Sequence, residues 1–153
     1  MKYDLLIWEY ALKTGLDPAL IKAIMEWESN FKSHLVTPES KGRYSYGLMQ
    51  ILDTTARDVW GVSDMNTLLS PRTNIFYATQ YLKGLKKRYP HNIKNVIAGY
   101  NAGSARFDVF GDYVNQNYVD QVYKRYLKYK KRQQLAAGLI TAAVIGAVIL
   151  KRD

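Results

Sequence analysis

Two glutamates stand two residues apart in the stretch MEWESNF, Met25 to Phe31. Each residue of a helix advances about 100° around the axis, so Glu28 shares a face with Ile21 and Ile24, whereas Glu26 does not. Ionising a carboxyl on an apolar face is costly, which raises its pKa and keeps a proton available near neutral pH. Glu28 therefore has the properties of a general acid that protonates a leaving oxygen.

Glu26 is the ordinary carboxylate of the two. It follows Lys22 by four residues, which is the spacing of a solvent-exposed ion pair on one helix. A glutamate near a helix end can also reach water or pair with a buried arginine, so the helix alone does not make Glu28 a catalyst. Other residues of the chain must complete the site.

Composition excludes several other kinds of site. The chain of 153 residues is long enough for one domain and a tail. It has no cysteine, and His34 and His91 lack metal-ligand spacing, so we expect neither a metal nor another cofactor. Residues 124–153 carry 8 Lys and Arg against 1 acidic residue, whereas residues 1–123 carry 14 against 12. The net charge of +9 thus belongs to the tail, which argues against binding of nucleic acid.

Apolar residues recur at helical spacing along nearly the whole chain, and no segment alternates over a strand's length. The sequence therefore predicts an all-α domain over residues 1–130. Asp17 and Pro18 predict the N-cap and first residue of the helix that carries Glu28 and ends near Ser29. Residues 32–45 are predicted to form a loop. Further helices are predicted up to Gly15, from Asp53 or Thr54 to Gly61, from Ser70 to Pro90, from Ile93 to Tyr100 and from Val114 to Arg132.

Four motifs follow one another along this predicted domain: WESNF at residues 27–31, SYGLMQI at 45–51, AGYNAG at 98–103 and, more weakly, NYVDQVY at 117–123. In this order and spacing they resemble the lytic transglycosylase family of the soluble (SLT) type, whose fold is similar to that of goose-type lysozyme. The resemblance covers about residues 4–127. One segment, TPESKGRYS, departs from the Ala/Gly-rich approach that is more frequent in the family.

The resemblance implies a lysozyme-like helical domain with a glycan groove, and it gives roles to seven residues. Glu28 is the expected catalytic acid and base, and the expected substrate-binding residues are Ser29, Met49, Gln50, Tyr100, Asn101 and Tyr118. Tyr100 is expected to orient Glu28 by a hydrogen bond, and Asn101 to contact an N-acetyl group. From the residues alone, Met49 can equally fill the core, and Asn101 can belong to a helix C-cap.

The implied substrate is the glycan strand of peptidoglycan. The resemblance implies cleavage of the β-1,4 bond between N-acetylmuramic acid and N-acetylglucosamine, with one glutamate acting first as acid and then as base. The muramic C6 hydroxyl would close on C1 to give a 1,6-anhydro product. Two alternatives remain open, namely a lysozyme-type hydrolase in which Glu39 or Asp53 activates water and a wall-binding module without activity.

The stretch LAAGLITAAVIGAVIL, residues 135–150, carries no charge. As a helix it would be about 24 Å long, and with Gln133 and Gln134 about 27 Å, so we predict one transmembrane helix over residues 133–150 of a C-terminal unit, 131–153. Gly138, Ala142 and Gly146 predict a surface for a second helix. The preceding KRYLKYKKR predicts contact with anionic lipid headgroups.

The predicted topology conflicts with the predicted substrate. Six cations precede the apolar run and two follow it, and Asp4 and Glu9 interrupt the first apolar segment so that it does not resemble a signal peptide. Both features place the N-terminal domain on the cytoplasmic side, where there is no peptidoglycan. A bacteriophage virion protein, carried in a virion membrane and reaching the wall from outside during entry, avoids this conflict. The alternatives are a cellular, C-terminally anchored enzyme of the bacterial envelope and a membrane-active protein that forms pores.

Overall fold

The computed structural model describes the backbone of residues 2–150 and the side chains of residues 2–139 and 141. Six α-helices, two 3-10 helices and three short strands occur among these residues. The α-helices are α1 (Asp4–Thr14), α2 (Pro18–Ser29), α3 (Asp53–Trp60), α4 (Pro71–Arg88), α5 (Ile93–Ala102) and α6 (Gln116–Leu150). The strands are β1 (Val36–Pro38), β2 (Tyr44–Tyr46) and β3 (Ile51–Leu52), and the 3-10 helices are Ser40–Gly42 and Met65–Leu69.

Helix α2 begins and ends where its local sequence predicts. The Asp17 carboxylate accepts a hydrogen bond from the backbone N–H of Ala19 at 3.0 Å, and Pro18 occupies the first helical position. At the other end, Asn30 adopts a left-handed conformation with φ of 48°, which asparagine tolerates better than most residues. Glu28 therefore lies on the last turn of α2, at the surface end of a buried helix.

The prediction of an all-α domain is wrong for one segment. Strands β1, β2 and β3 form an antiparallel sheet between α2 and α3, in which Ser45 pairs with Thr37 on one side and Leu52 on the other. Strand β1 and the first two residues of β2 lie in the segment 32–45 that the sequence predicts as a loop. Its strands have two or three residues each, which is too short for an alternating pattern to be recognised. The fold is mostly helical with a small sheet.

Helix α2 is central to the core. Ile21, Ile24 and Met25 are completely buried, and they lie on the face that the sequence predicts as apolar. Helix α6 packs along α2 and α5, while α4 packs against α1 and α5. Each buried aliphatic side chain of this kind stabilises the fold by about 1.5–3 kcal/mol. This burial fixes the direction in which the last turn of α2 presents its side chains.

The ion pair predicted between Lys22 and Glu26 does not form. Lys22 instead lies 2.6 Å from the Asp4 carboxylate, while Glu26 accepts hydrogen bonds from Lys128 at 2.9 Å and from the Tyr129 hydroxyl. The physical reason is the packing of α6 along α2, which brings cations from a distant part of the sequence to Glu26. Glu26 therefore has a structural role, joining α2 to α6.

Helix α6 continues beyond the packed domain. Its Val119 and Val122 are buried, and from residue 134 onward the described side chains are exposed. The helix passes through the predicted boundary at residue 130 without interruption, and that boundary stays a prediction. None of the helices in the described part of the chain is both long and apolar enough to span a bilayer. The side chains of residues 140 and 142–150, including Ala142 and Gly146 of the predicted helix-contact surface, lie outside the described residues.

Candidate active site

A groove of about 770 Å³ crosses the domain, lined by residues of α2, the sheet, α3, α4 and the end of α5. Its lining includes the acidic Glu28 and Glu39, the basic Arg43 and Arg106, the polar Ser45, Gln50 and Asn101, and the aromatic Trp27, Trp60, Tyr81 and Tyr100. Polar groups can bond sugar hydroxyls, and exposed rings can cover the apolar faces of sugar rings. The groove therefore has the size and chemistry to hold part of a glycan strand.

Glu28 lies in this groove at the end of α2. Burial of the carboxyl, assisted by the nearby charge of Glu39, raises its pKa to about 7, against an opposing effect of a hydrogen bond from Tyr118. The Tyr118 hydroxyl donates to Oε1 of Glu28 at 2.6 Å. Near neutral pH both the protonated and the ionised form are therefore populated. A group that acts first as an acid and then as a base requires both forms.

Tyr118 is the hydrogen-bond partner of Glu28, a role that the family resemblance assigns to Tyr100. Tyr118 is 7% exposed, and burial together with the charge of Glu28 raises the pKa of its hydroxyl well above the ordinary value. It therefore remains a neutral donor. Tyr100 donates instead to the backbone carbonyl of Met49 at 2.8 Å. Burial and the charge of Glu28 also raise the Tyr100 pKa, so this hydroxyl stays neutral as well.

Ser29 does not line the groove. It is 4% exposed, and its hydroxyl is 2.7 Å from the carbonyl oxygen of Leu48, to which it donates. The same hydroxyl lies 3.3 Å from the carbonyl oxygen of Met25 in the preceding turn of α2. Ser29 therefore fastens the end of α2, beside Glu28, to the segment Gly47–Gln50.

Segment Gly47–Gln50 turns tightly against α4. Gly47 has φ of 76°, and a Cβ at this position would lie 2.4 Å from Nδ2 of Asn74 and 2.5 Å from the carbonyl oxygen of Leu68. Real Cβ atoms do not approach other atoms this closely, and positive φ is disfavoured for residues other than glycine. Only glycine fits here without displacing the turn.

Asn74 is a site-supporting residue that sequence reasoning missed. It is completely buried, and its Nδ2 donates to the carbonyl oxygens of Tyr46 and Leu68, both at 2.8 Å. Its Oδ1 accepts from the backbone N–H of Met49 at 2.8 Å. An asparagine four residues before Ala78, on the apolar face of α4, was the available signal, because a buried amide needs partners.

Gln50 and Met49 have different positions. Met49 is completely buried, so its side chain fills the core, and the structure does not place it in the groove. Gln50 lines the groove with φ of 46°, and its Nε2 donates to the carbonyls of Gly47 at 2.9 Å and Leu35 at 3.2 Å. The side-chain amide of Gln50 therefore stabilises the same turn that places Gln50 at the groove.

The expected site residues fall into two groups. Glu28, Gln50, Tyr100 and Asn101 line the groove, whereas Ser29, Met49 and Tyr118 lie behind it. Asn101 is exposed, and its Oδ1 accepts a hydrogen bond from Nδ2 of Asn115 at 2.9 Å.

The two candidates for a second carboxylate also differ in position. Asp53 is 6% exposed, is not part of the groove lining and accepts hydrogen bonds from Arg57 at 2.8 Å and from the N–H of Thr54 at 2.7 Å. Glu39 lines the groove and accepts a hydrogen bond from the Ser45 hydroxyl at 2.8 Å. Among the described residues, no three acidic or histidine side chains are grouped so that they could bind a metal ion.

Comparison with known proteins supports this description. The chain is 33% identical over 117 residues to the membrane-bound lytic murein transglycosylase C of Serratia proteamaculans, covering 67% of this chain and 32% of that protein. It is 36% identical over 117 residues to the protein of that name from Photorhabdus laumondii, with the same coverage. A solved complex of the 70-kDa soluble lytic transglycosylase with bulgecin A has a TM-score of 0.72 at 25% identity, covering 86% of this chain and 24% of that chain. The chain thus spans 32% of the length of these curated relatives.

The mostly helical fold, its small sheet and the groove around Glu28 define a lysozyme-like domain. Residues 6–118 match the family described as Transglycosylase SLT domain, and the chain belongs to this family. The resemblance carried by WESNF, SYGLMQI and AGYNAG is therefore confirmed. The matched segment contains Glu28 and ends at its partner Tyr118.

Replacement of Asn74 by alanine should destabilise the protein. The carbonyls of Tyr46 and Leu68 and the N–H of Met49 would lose their partner, which we expect to cost about 3 kcal/mol of unfolding free energy. Urea unfolding followed by circular dichroism measures this change. The matched control is Asn66→Ala at an exposed position, and equal effects of the two substitutions would contradict the role given to Asn74.

Proposed function

We propose that this chain is a peptidoglycan lytic transglycosylase. It cleaves the β-1,4 bond between N-acetylmuramic acid and N-acetylglucosamine and forms 1,6-anhydro-N-acetylmuramic acid. The observation that carries this proposal is Glu28, a carboxyl with a pKa of about 7 that lies in a groove able to hold a glycan. Membership of the SLT family and the names of the relatives, lytic murein transglycosylases, support it.

One carboxyl serves both halves of this reaction. Protonated Glu28 gives its proton to the glycosidic oxygen as the bond from that oxygen to C1 breaks. The resulting carboxylate then takes the proton of the C6 hydroxyl, whose oxygen forms the new bond to C1. No water is consumed, and Glu28 ends the cycle protonated. The hydrogen bond from Tyr118 favours the carboxylate stage, while burial favours the acid stage.

Hydrolysis is the second candidate reaction. Glu39 is the observation that favours it, because its carboxylate lines the same groove and its charge acts on Glu28. A glycosidase that inverts its substrate uses such a second carboxylate to activate water on the opposite face of the sugar ring. Asp53, the other candidate from the sequence, is engaged by Arg57 and the backbone outside the groove lining.

Glu28→Gln should abolish wall digestion, whereas Glu26→Gln should leave most of it. Loss of a general acid and base typically lowers the rate by about 10²–10⁴-fold, while Glu26 contacts α6 outside the groove lining. Purified peptidoglycan would be digested with each variant and the released fragments weighed by mass spectrometry. Equal loss in two folded variants would refute the assignment of Glu28.

The same spectra separate the two candidate reactions. Fragments one water lighter than the hydrolytic products support the transglycosylase. Fragments of full hydrolytic mass would instead indicate a hydrolase. In that case the Glu39→Gln variant should no longer release these fragments.

The rate should fall as pH rises through the pKa of Glu28, because the reaction begins with the protonated acid. Tyr118 donates to the carboxylate and thereby lowers this pKa, so Tyr118→Phe should move the alkaline limb of the profile to higher pH and reduce the maximum rate. The measurement is the pH dependence of glycan cleavage. Tyr123→Phe, also on α6, is the matched control, and an unmoved limb in Tyr118→Phe would contradict the coupling.

We also propose that residues 133–150 anchor the chain in a membrane, which is the virion membrane of a phage during entry or, as the alternative, the bacterial envelope. Support comes from the charge-free sequence and the cations before it. Lys128 and Lys130 bond to carboxylates of the domain, so the exposed Lys131 and Arg132 are better placed for lipid headgroups. Helix contact through Gly138, Ala142 and Gly146 belongs to the same proposal.

Val144→Asp combined with Ile145→Asp should abolish flotation of the full chain with liposomes in a density gradient, because two carboxylates in an apolar span are costly. Leu12→Asp, at an exposed position of α1, is the control and should float. Flotation of the double variant, or its absence in the unmodified chain, would refute the anchor. Detection of the protein in purified virions decides between the two locations.

A further inference from the structure

Two asparagines join the end of α5 to the start of α6 beside the groove. Asn101 lies in the last turn of α5 and lines the groove, and Asn115 directly precedes the first residue of α6. Nδ2 of Asn115 is 3.1 Å from the carbonyl oxygen of Ala98 and 2.9 Å from Oδ1 of Asn101, and it donates to both. One amide nitrogen of α6 therefore bonds two oxygen atoms of α5.

The backbone determines the direction of these hydrogen bonds. The carbonyl of Ala98 can only accept, so the Asn115 amide must turn its nitrogen towards α5. Asn101 must then offer its oxygen to that nitrogen, because two donors that face each other form no bond. Oδ1 of Asn115 is buried and has no hydrogen-bond partner among the described residues, so Nδ2 alone holds this amide. The orientation of both amides thus follows from one backbone carbonyl.

This arrangement leaves the nitrogen of Asn101 free for a ligand. Its Oδ1 bonds to Asn115, whereas its Nδ2 forms no hydrogen bond with any other described residue. A sugar hydroxyl can donate and accept, but the carbonyl of an acetamido group can only accept. An amide nitrogen at the groove is therefore the complement of the carbonyl of an N-acetylated sugar.

We propose that Asn115 is a positioning residue, which holds the Asn101 amide so that its nitrogen donates to the acetamido carbonyl of a sugar in the groove. The family resemblance implies contact of Asn101 with an N-acetyl group but gives no role to Asn115. An amide already held in its bound orientation loses less conformational entropy when the ligand arrives. This inference rests on the proposed function, since it concerns the same glycan strand.

The test is binding of chitotetraose, an uncharged β-1,4-linked oligomer of N-acetylglucosamine, measured by calorimetry. The parent for all variants is the full chain with Glu28→Gln, so that no ligand is consumed. Asn115→Ala should raise the Kd about fivefold, because the Asn101 amide then rotates freely and must be ordered on binding. Asn101→Ala should raise the Kd at least as much, and Asn115→Ala added to it should change the Kd by less than about twofold.

Asn115→Asp separates the orientation of the Asn101 amide from its mechanical support. Aspartate keeps the size of the side chain and is also favoured directly before a helix. The new carboxylate only accepts, so Asn101 would turn its nitrogen towards it and present its oxygen to the ligand. The Kd should therefore rise at least as far as in Asn115→Ala, although a contact between the two side chains is retained.

Asn117→Ala, at an exposed position in the first turn of α6, is the matched control and should leave the Kd unchanged. An effect of Asn115 on folding alone would be equally large with and without Asn101→Ala. Such an equal effect, tighter binding by Asn115→Asp than by Asn115→Ala, or no binding of chitotetraose by the parent would overturn the inference. Failure of the proposed function is seen separately, as absence of glycan cleavage by the unmodified chain.

Discussion

The hydrogen bond from Tyr118 to Glu28 is the interaction on which the site depends. Its 2.6 Å length requires α6 to lie against the last turn of α2, although the two residues are 90 positions apart in sequence. The buried valines of α6 and the contacts of Glu26 and Asp17 with its lysines and tyrosines hold the helices together. Helix packing thereby sets the position of the carboxyl and, through burial, its readiness to hold a proton.

The opposite wall of the groove depends on buried polar contacts. Ser29, Asn74 and Tyr100 each bond to the backbone of residues 46–49, and these bonds come from three different helices. A buried amide or hydroxyl is costly unless its partners are in place, so this turn has one acceptable arrangement. Ser29 and the Tyr100 hydroxyl therefore act on the groove by positioning its wall.

Local signals in the sequence predicted the helix that carries Glu28. The hydrogen-bond partners around the site depend on tertiary contacts between residues far apart in the sequence, and these were not predicted. Asp17, Pro18 and the apolar spacing after them were sufficient to place Glu28 at the end of a buried helix, because caps and periodicity act within a few residues. The partner of Glu26 and the roles of Tyr118 and Asn74 follow from tertiary contacts, which spacing along the chain does not encode. The short sheet was missed for a different reason, because strands of two or three residues are defined by pairing.

In the proposed reaction Glu28 must satisfy two opposite demands, and its surroundings contain a cause for each. Burial and the charge of Glu39 favour the protonated form, whereas the hydrogen bond from Tyr118 favours the carboxylate. Burial without the tyrosine would raise the pKa of Glu28 further and leave less of the carboxylate form near neutral pH, and the tyrosine without burial would give a carboxyl already ionised at neutral pH. The balance near pH 7 lets one residue exchange a proton in both directions at little cost, as a reaction that has no second catalytic carboxylate requires. On this argument Glu39 contributes through its charge, which helps Glu28 to retain its proton even if Glu39 never contacts the reacting atoms.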